Sequence, residues 1–314
     1  MDALYIILSL IPGILSAIGT SIGQGIINKN AMESLNRQPS ASSSISKVAI
    51  IGMAIVETAA IMGMVISILL INDSTISTEP FFANLAAGGI ALALGISGLC
   101  AGIAAALPAA NTCQSIAHQP FMYTKLLNMM LIVQTLIMTP NMFGMIISLL
   151  IKNKIAAIQI LPEAMQLFAS GLSIGIGCIG PSIGLSIFAS AACTAVGINK
   201  KSFNKVMTFT FVCEAIIETP AIFALLISLV ILTTTIKPES ILQGWQFIAA
   251  ALCMGLSTIA PGINAGKTGA AACKQMGFNL EQYSALSKIA LLGLAMIDSF
   301  AIYGLLVSIV LLLL

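Results

Sequence analysis

The sequence predicts an all-α integral membrane protein with eight transmembrane helices, arranged as four tandem hairpins. Three observations carry this: a large excess of apolar residues, apolar runs of spanning length, and one hairpin pattern repeated four times. Charged residues make up 8% of the 314 positions and apolar ones 58%, with a mean hydropathy of +1.05. A water-soluble domain carries roughly 25% charge, so lipid is the main solvent of this chain. The runs 48–71, 126–151, 206–232 and 289–314 each reach or pass the ~20 residues that cross a hydrocarbon core as a helix. At the N-terminus, Asp2 replaces a cationic region, and the apolar stretch continues through Gly19 and Gly23 without a clear cleavage site, so no removable signal peptide is expected.

The repeat is found by aligning the second helix of each hairpin. Glu57 to Ser67 matches Met138 to Ser148, Glu218 to Ser228 and Asp298 to Ser308, at offsets of 81, 161 and 241. The same offsets bring Gly19–Gly25 onto 100–106, 180–186 and 260–266 without gaps. The expected units are therefore hairpin 1 (1–77), hairpin 2 (78–158), hairpin 3 (159–238) and hairpin 4 (239–314).

In each unit a helix of small residues leads through a polar turn to a helix rich in Ile, Leu, Met and Val. Hairpin 1 places Ala17, Gly19, Ser21, Gly23 and Gly25 at every second position. Two steps of ~100° turn a helix by ~200°, so alternate small residues line two nearly opposite flanks. In lipid, where van der Waals contact holds helices together, such flanks let backbones approach closely. The expected object is a closed ring of these helices with the bulkier second helices outside; small-residue contacts in an irregular bundle are the alternative. Hairpins 1 and 2 turn at Arg37-Gln38-Pro39 and His118-Gln119-Pro120, hairpins 3 and 4 at Ile198-Asn199-Lys200 and Phe278-Asn279-Leu280.

Ten of the thirteen Lys and Arg residues lie on the turn side: Lys29, Arg37, Lys47, Lys125, Lys200, Lys201, Lys205, Lys267, Lys274 and Lys288. The opposite side has Lys152, Lys154 and Lys237, with Asp2, Asp73, Glu79, Glu163 and Glu239. The positive-inside rule then puts the turns in the cytoplasm and both termini outside. Cys113, Cys193 and Cys273 are 80 residues apart and so are one helix position seen three times. With no CxxC pair and one histidine, His118, the cysteines read as buried inert thiols, and no metal site is expected.

Glu57, Glu214, Glu218 and Asp298 fall in the middle of spanning segments, where a charge costs at least ~2.5 kcal/mol. Glu57, Glu218 and Asp298 share one repeat position. A neutral acid bridging two helices explains one such residue but not three equivalent copies. A mid-membrane carboxylate beside a hydroxyl, here Thr58, Thr219 or Ser299, can hold a proton or a small cation and cross lipid as a neutral unit. It then releases its load on meeting water or a positive charge.

These residues resemble those of the c-type proteolipid of rotary ATPases, the hairpin protein of their rotor ring, especially in its F-type form. The likeness rests on Gly23-Gln24-Gly25, Ala31-Met32-Glu33-Ser34, Arg37-Gln38-Pro39 and Val56-Glu57-Thr58, and it thins in the later hairpins. Fused hairpins with one missing carboxylate are also reminiscent of V-type rings. The resemblance implies that the chain is a segment of a rotor ring made of several copies. Such a ring turns in the membrane lipid against the stator's a-type protein, which bears an essential arginine. It couples to the central stalk through the turn residues Arg37, Gln38, Pro39, His118, Gln119 and Pro120. The resemblance further implies that Glu57, Glu218 and Asp298 carry the ion, whereas Met138 cannot. Glu214, one turn before Glu218 on the same face, either shares a proton with it or only hydrogen-bonds.

The expected ion is H+, with Na+ as the alternative at Glu57, Gln24 and Thr58. The equivalents of Gln24, namely Ala105, Leu185 and Ala265, offer no side-chain oxygen to a cation. Tyr303 is a further possible partner of Asp298. No GxxxxGK[ST] motif occurs, so this chain is not expected to hydrolyse ATP, and neither a cofactor nor a nucleic-acid partner is expected. A stand-alone eight-helix transporter or channel is the competing reading. Parallel, equally spaced repeats suit a ring segment better than the broken helices and central site of such transporters.

Overall fold

The computed structural model describes residues 2–72, 79–236 and 240–314. Asp73, Lys237 and Glu239, and the expected hairpin boundaries at 77/78 and 238/239, lie outside the described residues. Among the described residues, eight helical spans are long and apolar enough to cross a membrane, two per hairpin. In hairpin 1 these are α1 (Ala3–Arg37) and α2 (Ser42–Ile71). Hairpin 2 has α3 (Pro80–Ala104) and α4 (Ala106–His118), then α5 (Tyr123–Ile137) and α6 (Thr139–Ile155). Hairpin 3 has α7 (Leu161–Gly177), α8 (Ile179–Ile198) and α9 (Phe203–Thr233), and hairpin 4 has α10 (Ile241–Ser257), α11 (Ile259–Phe278) and α12 (Tyr283–Leu313). Short 3₁₀ turns at Pro39–Ala41, Pro120–Met122, Lys200–Ser202 and Leu280–Gln282 join the two arms of each hairpin.

The first arms form one row. α1 packs on α3 and α4, these on α7 and α8, and these in turn on α10 and α11. The second arms α2, α5–α6, α9 and α12 lie outside, each against its own first arm; all but α12 also touch the first arm of the next hairpin. The row is an open arc. The first-arm cores of hairpins 2 and 3 are 67% and 72% buried, against 33% for α1, while that of α12 is only 17% buried.

Small residues explain how closely the row packs. A Cβ on Gly23 would strike the Gly102 carbonyl, and one on Gly184 would strike that of Gly262. The register is regular: a residue of one hairpin faces the residue two repeat positions further along in the next. Gly23 thus meets Ala106, the equivalent of Gly25; Gly184, the equivalent of Gly23, meets Gly266; and Ser115 and Ala195, equivalents of Ser34, meet Gly197 and Gly277, equivalents of Asn36.

The sequence reading treats each span as unbroken, but the structure interrupts four of them, at Ala105, Met138, Cys178 and Thr258. Each interruption lies two or three residues before a proline, whose missing N–H leaves the carbonyl four residues earlier without a donor, although Pro12 and Pro220 sit inside α1 and α9 without a break. Neighbouring hydroxyls supply the missing donors. Ser186 Oγ donates to the Ala104 carbonyl freed by Pro108 (2.6 Å), and Thr258 Oγ1 donates to the Gly177 carbonyl freed by Pro181 (3.1 Å). Within its own turn, Thr139 Oγ1 donates to the Leu136 carbonyl freed by Pro140 (2.7 Å). Such satisfaction is what lets prolines sit inside membrane helices. Near the turns, Lys125 stands over the Phe203 ring at 5.2 Å and Lys205 over Tyr283 at 5.3 Å, stapling hairpin 2 to 3 and hairpin 3 to 4.

Candidate ion-carrying site

Glu218 occupies α9 with 9% exposure, and Thr139 of the preceding hairpin lies beside its carboxyl; the Thr139 hydroxyl donates its own hydrogen to the Leu136 carbonyl, so towards Glu218 it can only accept. Acid and hydroxyl therefore come from neighbouring hairpins. The hydroxyls adjacent in sequence, like Thr139, bond their own helices: Thr219 Oγ1 donates to the Ala215 carbonyl (3.0 Å), Thr58 Oγ1 to Ile55 (2.7 Å) and Ser299 Oγ to Met296 (2.6 Å). Sequence reasoning did not select Thr139, because it stands in the hairpin with Met138, not an acid, at the shared position. Its alignment with Thr58 was the signal that could have found it.

Among the described residues, Glu57 has no such neighbour from another hairpin. It is exposed on the free edge of the arc, in a groove lined only by hairpin 1 residues such as Leu10, Ile14, Ala17, Ile61 and Met64. Gln24 is half-buried and its Nε2 donates to the Met53 carbonyl at 3.5 Å, one turn before Glu57. Asp298 is half-buried on α12. Tyr303 is 58% exposed and meets Phe300 edge-on at 5.9 Å. Five residues from Asp298, it is rotated by about 140° around the helix, so the structure does not bring the two together.

The hairpin with Met138 at the shared position is organised by amides. Asn141, buried three residues after Met138, accepts from Ser97 Oγ at 3.3 Å, and its Nδ2 approaches Met62 Sδ at 3.3 Å. The equivalents of Asn141 are Ala60, Ala221 and Ala301. One turn before Met138, buried Gln134 donates to the carbonyls of Ala105 (2.8 Å) and Gly52 (3.3 Å), tying three helices together. In hairpin 3 the same repeat position is Glu214, fully buried, with neither carboxyl oxygen in a hydrogen bond.

The turn residues gather at one end of the molecule. Arg37, Pro39 and His118 are exposed, while Gln38, Gln119 and Pro120 are half-buried. Gln38 Nε2 donates to Ser40 Oγ at 2.9 Å, and Gln119 Nε2 to the Ile198 carbonyl of hairpin 3 at 3.1 Å. Cys113, Cys193 and Cys273 are fully buried free thiols, and the described residues hold no group of three or more His, Cys, Asp or Glu suited to a metal ion.

The family model for the C subunit of ATP synthase matches this chain four times, at residues 7–70, 88–151, 168–231 and 248–311. The K subunit of the A-type ATP synthase of Methanocaldococcus jannaschii is 31% identical over 229 residues, covering 73% of this chain and 96% of that protein. The ATP synthase c subunit of Chloroflexus aurantiacus is 41% identical over 69 residues, 22% of this chain and 91% of its own. That of Dehalococcoides mccartyi is 39% identical over 70 residues, 22% of this chain and 92% of its own. The long relative thus aligns with several hairpins and the short ones with a single hairpin. This multi-pass membrane chain belongs to the family of ATP synthase C subunits, as four tandem copies of its hairpin.

Proposed function

We propose that this chain is a segment of the ion-carrying rotor ring of a rotary ATP synthase or ATPase. In this reading Glu57, Glu218 and Asp298 each carry one ion, and Met138 leaves its hairpin empty. The observation that carries the proposal is the burial of Glu218, at the repeat position it shares with Glu57 and Asp298, between α9 and Thr139 of the preceding hairpin. Carried to the joint between copies, the same geometry leaves Glu57 to meet Ser299 of a neighbouring copy; at the joint of hairpins 3 and 4 the Thr219 hydroxyl stays on the Ala215 carbonyl of its own helix. A neighbouring copy is thus required to complete the Glu57 site.

Each carboxylate takes up its ion from a water-exposed path, crosses lipid as a neutral unit, and gives it up opposite an arginine of the stator. The turns, with Arg37-Gln38-Pro39 and His118-Gln119-Pro120, face the cytoplasm and dock the central stalk, and the outer connections contain the hairpin boundaries near 77, 158 and 238. The carried ion is the proton, with sodium as the alternative. A bare cation in lipid needs several oxygen ligands, and only hairpin 1 supplies a Gln24.

A hydrophobic carbodiimide, which reacts with protonated acids in lipid, tests the assignment. It should modify Glu57, Glu218 or Asp298, and mildly alkaline conditions should protect them. Protection by added sodium would shift the ion assignment to Na+. Modification confined to loop acids such as Glu79 and Glu163 would remove the carboxylate assignment.

A further inference from the structure

Near the turns, the first arms in the middle of the row carry no charged residue, whereas the two first arms at its open ends do. α4 and α8 contain no Lys, Arg, Asp or Glu, while α1 has Lys29, Glu33 and Arg37 and α11 has Lys267 and Lys274. α1 and α11 stand at opposite ends of the arc, so these charges mark the faces through which copies meet. On α1 the open stripe includes Ser21, Gly25, Lys29 and Glu33, all exposed; the equivalents Gly102, Ala106 and Ala110 in hairpin 2 are buried against hairpin 1. Gly25 has nothing near its Cβ position, although its equivalents Ala106 and Gly266 press on the neighbouring hairpin. The α11 flank exposes Asn264, Lys267, Ala271, Lys274 and Gln275.

The register of the internal joints says how these flanks align. Gln114, the equivalent of Glu33, donates from Nε2 to Asn30 Oδ1 of the preceding hairpin at 2.6 Å. The equivalent of Asn30 in hairpin 4 is Ala271, which leaves space opposite it. Lys267 and Lys274 lie four residues before and three after Ala271, on the same helix face. Glu33, Lys267 and Lys274 form no ion pair with a described residue of their own chain. Resting on the rotor-ring reading, we infer that copies join head to tail through Glu33 of one copy set between Lys267 and Lys274 of the next. This joint selects the end that closes the ring: two α11 flanks brought together would confront four lysines with no carboxylate, whereas α1 on α11 sets Glu33 among the cations Lys29, Arg37, Lys267 and Lys274.

The test uses the full chain purified in mild detergent. A zero-length, water-soluble carbodiimide joins a carboxylate to an amine only where they touch. It should give a ladder of chain multiples containing Glu33–Lys267 or Glu33–Lys274 peptides, and Glu33→Gln should abolish those peptides. Within one copy these residues lie at opposite ends of the arc, so the link must be between copies. Independently, Glu33→Lys should lower the annular fraction about fivefold at low salt, the upper end for an exposed ion pair. High salt should narrow the difference, and Lys267→Glu with Lys274→Glu should restore assembly. Annular wild-type protein without these cross-links, with Glu33→Lys assembling normally, overturns the joint and leaves the ring reading intact. A chain that runs only as single copies overturns both.

Discussion

A carboxylate in lipid can serve as a carrier only if its neutral form has a partner and its charged form has an exit. Glu218 has the partner in Thr139, contributed by the adjacent hairpin in the row. Amide substitutions keep the shape of these side chains and remove the titratable group. Glu57→Gln, Glu218→Gln and Asp298→Asn should each reduce ATP-driven ion pumping in reconstituted vesicles to background, while insertion and assembly persist, because removing a charge from lipid costs no folding energy. Pumping at the wild-type rate in all three would end the carrier assignment. The acids were legible as an aligned column of the sequence; the cross-hairpin hydroxyl was not, because only the register of the row puts Thr139 against Glu218.

Helix–helix contact depends on glycines used for their missing Cβ. A side chain at Gly184 would collide with the Gly262 carbonyl, and neither rigid backbone can give way. Gly184→Val should therefore destabilise the packed row by about 1–3 kcal/mol, lowering the temperature at which the purified assembly dissociates. Gly293 is the control: a Cβ there meets only Thr268 Cγ2 at 3.5 Å, an ordinary contact. Gly293→Ala should be neutral or stabilising, since alanine is the better helix former. Equal losses in both variants would mean that close approach is not what the small residues supply. At this scale the alternating small residues announced two packing flanks, but the proline breaks and the hydroxyls that satisfy them were invisible. Ser186 and Thr258 act on carbonyls 82 and 81 residues away, beyond any local pattern.

For the whole molecule, three acids in four hairpins mean 3/4 of the ions per turn of a fully equipped ring of equal size. Each charge moved against 100 mV costs ~2.3 kcal/mol, so fewer ions per ATP let hydrolysis sustain a steeper gradient. On the rotor-ring reading proposed above, the machine is accordingly biased towards pumping. Met138→Glu should raise the ion-to-ATP ratio towards 4/3 of wild type (four acids over three) and lower the maximal gradient. An unchanged ratio in an active ring means that position 138 is bypassed or that Glu214 already supplies a fourth charge, and adding Glu214→Gln separates these outcomes. The amide network of Asn141 and Gln134 around Met138 makes the introduced acid a burial test as well.

Composition and periodicity by themselves determined that the chain spans the membrane eight times as four like hairpins, with three acids and a methionine in one column. Those features are local or strictly periodic: hydropathy needs only a window of ~20 residues, and a repeat needs only an offset. The tertiary structure decided what faces what. It ordered the first arms in a row with a two-position shift, buried Glu218 against Thr139, left Glu57 on an open edge and turned Tyr303 away from Asp298. A repeat fixes which residues are equivalent. Which of them meet depends on helix rotation and register, and these are set by the close approach of backbones far apart in sequence.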